Sequence, residues 1–392
     1  MEDGRNVIIY DYKTMPNDVS KARKARIKLT DDYKTNVFDY KKLKNNTNQI
    51  LPTIGANPDD GLKLGLSNTY TTYGFERNPF TSQHTILGAY YFETNGYELN
   101  YRGEFANVIK KINFLLDLKF QSPNFTQNFF GYGNETNNLQ ENFGKDYNRV
   151  KIRGFSIAPA FSWKSHGGRK ISVRGSYENI EVHKTENRFV DNNPYLPTYI
   201  FDEVQFVGTS LLYEFANSDS RAYPTLGMAF SLEAGVKSNL DEDKTFGYVT
   251  SKWGIAHKLI PSGKLVLATT LKGHLNIGDD YEFYHAASIG GTDGLRGFRN
   301  QRFTGKSAYY QNTDLRYSFG ELKTPLAPIK LGVYGSFDYG RIWMPNFDYS
   351  EKWHNTYGGG FFVNGAELMS ANIGVFNSKD GARVAFGLGF GF

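Results

Sequence analysis

From about residue 48 to the last residue, apolar and polar positions alternate with a period of two. That is the repeat of a strand with one face against an apolar medium and the other against water. Tyr97, Leu99, Tyr101 and Phe105 share one face of a segment whose other face carries Glu98, Asn100, Arg102 and Glu104. Ile112, Phe114, Leu116, Leu118 and Phe120 alternate in the same way with Asn113, Asp117 and Lys119. At the end of the chain Val384, Phe386, Leu388, Phe390 and Phe392 alternate with Arg383, Ala385, Gly387, Gly389 and Gly391, a face nearly devoid of bulk. Read backward from the C-terminus, the pattern predicts strands over 382–392, 367–378, 355–366, 328–340, 306–319, 262–276, 244–258, 223–236, 204–216, 168–182, 147–163, 111–120, 96–105, 83–93 and 61–73. These are fifteen, and a closed antiparallel barrel with both ends on one side of a membrane needs an even number. NQILPTIGAN, residues 48–57, followed by the turn-forming PDDG, is the best place for the missing strand.

A soluble sandwich alternates too, so three further features carry the choice. The apolar faces run for about 9 to 11 residues per segment, the span a tilted strand needs to cross a bilayer. They mix aliphatic centres with Tyr and Phe near the ends, as an interfacial aromatic girdle requires. The last predicted strand ends on an aromatic residue, Phe392. The expected fold is all-β: a 16-stranded antiparallel transmembrane β-barrel over 47–392, with 1–46 a periplasmic basic linker or the end of an upstream domain. Loop parity agrees, since the long stretches 121–146 and 183–203 fall on the external side, while the short links near 165 and 260 fall on the periplasmic side. Pro52 withholds a ladder donor from the first strand and the last strand is glycine-rich, so the seam where the two meet is expected to be the weakest part of the sheet.

Composition adds limits. The 392 residues include 27 Tyr, 31 Phe and 41 Gly beside 13 Pro and 5 Met, a balance that favours strands and tight turns over helices. No run approaches the ~18 to 20 apolar residues of a membrane helix, and the mean hydropathy of -0.51 suits a polar-lined barrel. There is no cysteine, which excludes disulfide frameworks and thiolate metal sites. The net charge is +5, densest in Met1–Asn46 with eleven Lys/Arg against seven Asp/Glu. KARKARIK there reads as a solvated linker rather than a nucleic-acid contact. The opening MEDGRNVIIY lacks the basic start and apolar core of a secretion signal. The seven histidines have no metal-ligand spacing, and His285 with Ser288 lacks the positioned third group of a hydrolase, so no metal, cofactor or catalytic residue is expected.

One stretch breaks the alternation. Gly290–Gly305 reads GGTDGLRGFRNQRFTG, with five glycines for tight backbone, planar donors in Arg296 and Arg299, and apolar anchors in Phe298 and Phe303. Within it Leu295, Arg296, Gly297 and Phe298 form LRGF. Phe303–Gly305 (FTG) and Asp314–Arg316 (DLR) follow, and then SFDYG over Ser336–Gly340. In this order these elements resemble the [VI]RG[FY] loop tip, F-x-G element, acidic-x-Arg element and F-x-D-x-G strand of the BamA-type superfamily of outer-membrane barrels, which includes assembly factors and two-partner secretion transporters. Leucine stands at the usually β-branched position, and Ser336 where phenylalanine is usual. The resemblance covers the C-terminal hundred residues. It implies that the loop folds into the lumen and that Arg296 meets the inward carboxylate of Asp338, with Gly340 beside it and Phe303, Gly305, Asp314 and Arg316 in support. It also implies a C-terminal strand signal in Phe386, Leu388, Phe390 and Phe392.

LPTIGANPDDGLKLG, GFERNPF and GYELNYRGEF are in addition similar to barrels that end large Bacteroidota chains carrying an N-terminal calcineurin-like phosphoesterase. Three functions are therefore in view. One is insertion or translocation of proteins at the outer membrane through a weak first/last strand seam. Its partners would be outer-membrane lipids, unfolded outer-membrane protein substrates and accessory lipoproteins. Another is a membrane anchor or export barrel for an upstream phosphoesterase-like domain, and the last is a passive pore.

Overall fold

The computed structural model describes residues 7–22, 24–31, 45–57, 61–73, 80–123, 126–165, 167–191, 193, 196–220, 223–291, 293–325, 328–345, 349–365 and 369–390. Sixteen long strands form one antiparallel barrel. They are β1 (Thr47–Asn57), β2 (Gly61–Thr72), β3 (Ser82–Tyr91), β4 (Gly96–Ile109), β5 (Ile112–Gln121), β6 (Arg149–Lys164), β7 (Arg169–His183) and β8 (Glu203–Ser218). The second half comprises β9 (Gly227–Asn239), β10 (Lys244–Lys258), β11 (Leu265–Ile277), β12 (Ser307–Lys323), β13 (Pro328–Trp343), β14 (His354–Gly365), β15 (Met369–Ser378) and β16 (Gly381–Phe390). The strand expected over 48–57 is β1. In the N-terminal segment Ile8–Asp11 pairs in parallel with Arg26–Leu29.

The alternation seen in sequence maps onto the two faces of the wall. Leu99, Phe161, Val173, Leu211, Trp253, Phe361 and Val384 are all exposed and make an outward apolar belt. The opposite face is polar and its charges pair between strands, as in Lys63–Glu98 at 2.5 Å, Lys164–Glu104 at 2.5 Å, Lys170–Glu214 at 2.7 Å and Lys237–Glu178 at 2.8 Å. This inside-out arrangement is what lipid around the wall selects, since lipid solvates apolar groups and a polar interior can hold ion pairs. Phe386 sits on the belt. Phe392 and the side chains of Leu388 and Phe390 lie outside the described residues.

The connections sort by end. Residues 122–148, 184–202, 278–306 and 344–353 leave from one end, and the two-residue turn 110–111 and residues 165–168 from the other. Long connections mark the external end of such barrels. There Phe129, Val190, Ile200 and Phe283 of the connections pack with Val150, Ile152 and Val182 of β6 and β7 in a buried apolar cluster.

β4 and β12 run four residues past their expected ends, to Ile109 and Lys323, and β9 starts four residues late. The segment expected over 223–236 begins at Gly227 and runs to Asn239, and Tyr223 lies in the preceding turn. Tyr223 stacks on Phe362 of β14 at 4.6 Å, beneath the Arg316 guanidinium at 4.4 Å. Its apolar ring serves the barrel interior rather than the belt, which a period-two reading cannot tell apart.

The closing seam differs from every other junction. β1 pairs with β2 along its whole length, Thr47 opposite Thr71 through Asn57 opposite Gly61. Among the described residues, β16 meets β1 over far less of its length than any other pair of neighbouring long strands.

Candidate functional site

The site is built on β12, β13 and β14. Phe337 and Tyr357 are exposed on the belt, so their neighbours Asp338 and Thr356 face the interior. The register sets Asn312 opposite Asp338, Asp338 opposite Thr356, and Asp314 opposite Ser336. Two carboxylates thus stand on adjacent strands of one interior face. Asp338 is fully buried at 0% exposure. Left alone, it would bear the whole penalty of a desolvated charge.

The connection between β11 and β12 supplies the counter-charge. Arg296 donates from Nε to Asp338 Oδ2 at 3.0 Å and from Nη2 to Asp338 Oδ1 at 2.5 Å. The Arg296 backbone N–H adds a bond to Oδ2 at 3.2 Å, and Thr356 Oγ1 donates to the same oxygen at 2.9 Å. Arg296 Nη2 also reaches Asp314 Oδ1 at 2.8 Å, and Arg316 donates to Asp314 Oδ2 at 3.1 Å. The fork geometry of guanidinium is what permits two parallel bonds to one carboxylate and a third to another. Burial disfavours the charged guanidinium, but the bond to Asp338 and the charge of Asp314 outweigh it and hold Arg296 above its ordinary value. Its cation lies 4.5 Å from the Phe376 ring.

Ser336 donates to Asp314 Oδ1 at 2.8 Å. A hydroxyl there serves the second carboxylate, a task phenylalanine could not perform.

The rest of the loop packs as a small core. Leu295, Phe298 and Phe303 are buried with Ala287, Ile289, Ala308, Tyr310 and Ile342. Phe303–Gly305 pairs antiparallel with Ala287–Ile289, and Phe303 stacks on His354 at 3.7 Å. Asn312 Nδ2 donates to the Gly294 carbonyl at 2.7 Å, and Gly294 holds φ +148°, where a Cβ would lie 2.5 Å from the Gly290 nitrogen. Gly297 is required for another reason: a Cβ would stand 3.0 Å from both the Asn377 carbonyl and Thr356 Cγ2. At Gly340 it would lie 2.6 Å from the Tyr309 carbonyl, and at Gly305 2.7 Å from Ile342 Cδ1.

Arg302, Asn134 and Asp380 carry no sequence signal, while Arg299 is one of the planar donors read in the loop. Arg302 is 1% exposed; its Nε donates to Asp380 Oδ2 at 2.6 Å, and its Nη1 and Nη2 reach Thr136 Oγ1 and O at 2.8 Å each. Arg299 donates to Asn128 Oδ1 at 2.8 Å and the Lys145 carbonyl at 2.9 Å. Asn134 completes the ladder of β13, donating to the Ile342 carbonyl at 2.8 Å and accepting from its N–H at 3.1 Å. Asn134 and Asp380 sit in stretches that read as ordinary turns, and only their distant partners reveal them. His285 faces Glu178 Oε2 at 3.1 Å, while Ser288 lies in the small sheet opposite Thr304.

At the other end a cleft of about 650 Å³ opens beside Tyr223, Lys264, Arg316, Lys330 and Phe362. Arg316 is thus shared between the carboxylate pair and the periplasmic mouth.

The family model described as haemolysin secretion/activation protein ShlB/FhaC/HecB matches residues 225–364, from just before β9 to β14. Among solved structures, BamA from Haemophilus ducreyi lacking POTRA domains 1-3 is similar with a TM-score of 0.62 at 14% identity, over 88% of this chain and 70% of that one. CdiB from Escherichia coli is similar with a TM-score of 0.55 at 11% identity, over 88% of this chain and 62% of that one. CdiB from Acinetobacter baumannii gives 0.52 at 11% identity, over 88% and 59%. The chain therefore spans less than two thirds of the length of either CdiB. Among curated proteins no sequence matches.

Proposed function

We propose, on the premise that this chain is a BamA-type outer-membrane β-barrel, that it inserts or translocates other polypeptides at the outer membrane through the junction of β1 and β16. The observation that carries this reading is the thin seam in a wall otherwise laddered along its length. A substrate strand entering there gains backbone partners that the two seam strands lack. The energy comes from the substrate's own folding and burial, so no nucleotide, metal or catalytic side chain is needed.

The apolar cluster at the external end supports a lateral route. Lifting the connections away would expose the four buried apolar side chains that they contribute, Phe129, Val190, Ile200 and Phe283, a cost on the order of 10 kcal/mol at the usual value per side chain. Parting two barely joined strands costs less. In this reading the loop is a lumenal plug, with Leu295–Phe298 as its tip, Asp338 and Gly340 as its seat, and Phe303, Gly305, Asp314 and Arg316 holding it in place. The partners are outer-membrane lipids, unfolded outer-membrane proteins and accessory lipoproteins.

The test is insertion itself. An unfolded outer-membrane barrel protein is added to lipid vesicles with and without the purified chain, and its folded, protease-protected form is followed in time. Faster appearance with the chain is the expected result, and equal rates would remove the reading. In planar bilayers the unaltered chain is expected to conduct little and to conduct more once residues 291–303 are deleted. High conductance in the unaltered chain would favour a passive pore. Copurification from the outer membrane distinguishes accessory lipoproteins from a single longer fusion with a phosphoesterase-like domain.

A further inference from the structure

We infer that Arg302 and Asp380 form a latch on the outer end of the closing strand, so that the seam parts only after the loop releases the turn that leads into β16. The inference rests on the seam reading above and assigns the control of that seam to named residues.

β16 has one full neighbour. Its ladder with β15 runs from Met369 opposite Phe390 to Ser378 opposite Gly381, while its contact with β1 is slight. β15 is itself laddered to β14 from Tyr357 opposite Asn377 to Gly365 opposite Met369, so the free-edged flap is β16 alone with its outer turn, Lys379 and Asp380. What holds the outer end of that flap is therefore decisive, and the loop holds it at several points. Ser378 Oγ donates to the Gly297 carbonyl at 2.8 Å, Arg302 Nε donates to Asp380 Oδ2 at 2.6 Å, and the Lys379 ammonium lies 5.0 Å from the Phe303 ring. Asn138, from the 122–148 connection, adds a bond to Asp380 Oδ2 at 3.3 Å.

The pair is buried, with Arg302 at 1% and Asp380 at 9% side-chain exposure, and the Arg302 cation lies 4.8 Å from the Phe130 ring and 4.6 Å from the Phe303 ring. Its Nη1 and Nη2 donate to Thr136, so one guanidinium ties the flap tip to the 122–148 connection. A buried cation whose carboxylate leaves is stranded in apolar surroundings, which makes the pair resist opening until the whole loop shifts. Arg296 and Arg302 then divide the work: the first fixes the loop to the β12–β14 wall, and the second fixes the flap to the loop. The strut between them converts movement of the loop into freedom of the closing strand.

Amide hydrogen exchange of the intact chain in lipid nanodiscs tests this. Asp380→Asn, nearly isosteric and on a turn, and Arg302→Lys, which keeps charge but loses the fork, are compared with Arg299→Gln. Arg299 lies in the same loop but bonds to residues 128 and 145 instead of the flap. Both latch variants should speed exchange across 378–390 by about tenfold or more, the effect of losing a charge-assisted hydrogen bond from a local opening. Arg299→Gln should leave 378–390 at the rate of the unaltered chain and loosen 126–148. Exchange in 378–390 within about twofold of the unaltered chain in Asp380→Asn, a change too small for a lost tether, overturns the latch. So does equal loosening by all three variants. If exchange rises but insertion of an unfolded barrel protein is unchanged, the latch stands and the seam function falls.

Discussion

Replacing Arg296 by alanine would leave Asp338 buried and without its counter-charge, beside a second carboxylate in Asp314. With side-chain exposures of 20% and 0% the pair is largely dry, and removing one partner of such a pair costs about 3–5 kcal/mol. Arg296→Ala should therefore lose its folded, fast-migrating form on semi-denaturing gels at a markedly lower temperature than the unaltered chain, with Arg296→Lys falling between them because an ammonium cannot form the fork. If Arg296→Ala keeps the original transition temperature, the pair is not stabilising. Arg296 and Asp338 could be singled out in the sequence because a short motif marks each. Arg302 and Asp380 could not, because neither lies in a motif and their meeting depends on a loop crossing to a hairpin 78 residues away.

Strands are where the sequence speaks most plainly, since period two is a local property and a slip of one residue would turn a whole face from lipid to lumen. β13 illustrates it: exposed Phe337 and buried Asp338 are adjacent, and each could occupy only its own side. Its glycines separate by face as well. At Gly340 an added methyl would meet the Tyr309 carbonyl at 2.6 Å, whereas at Gly335 nothing stands within 4 Å. Gly340→Ala should destabilise the barrel by roughly 1–3 kcal/mol, and Gly335→Ala by less than about 0.5 kcal/mol. Thermal unfolding followed by heat-modifiability measures both, and equal behaviour of the two variants would refute the packing argument. The start of β9 shows where local patterns fail. Tyr223 is apolar for the sake of Phe362 and Arg316, on strands far along the chain, so alternation placed it in a strand it does not enter.

For the molecule as a whole, the connection between β11 and β12 brings its own pH response. His285 lies among Phe206, Phe246 and Tyr284, beside Glu178, which Lys237 also holds. Burial pushes the imidazole below its ordinary value, the Glu178 bond only partly opposing it. The folded state thus binds fewer protons than the unfolded one. The stability linked to His285 is fully present above the unfolded value near 6.5 and is lost as pH falls below it. Between pH 7.5 and 5.5 the unfolding temperature should drop, and the drop should shrink in His285→Gln; an unchanged drop would assign it to other groups. The chain by itself determined the barrel and its strand number, because alternation and turn chemistry are written in neighbouring positions. Only the tertiary structure decided how thin the seam is, which connections pack together at the end of the barrel and which groups touch the turn before the closing strand. Those depend on contacts between groups far apart in the chain, whose energies arise only once the wall has brought them together and excluded water around them.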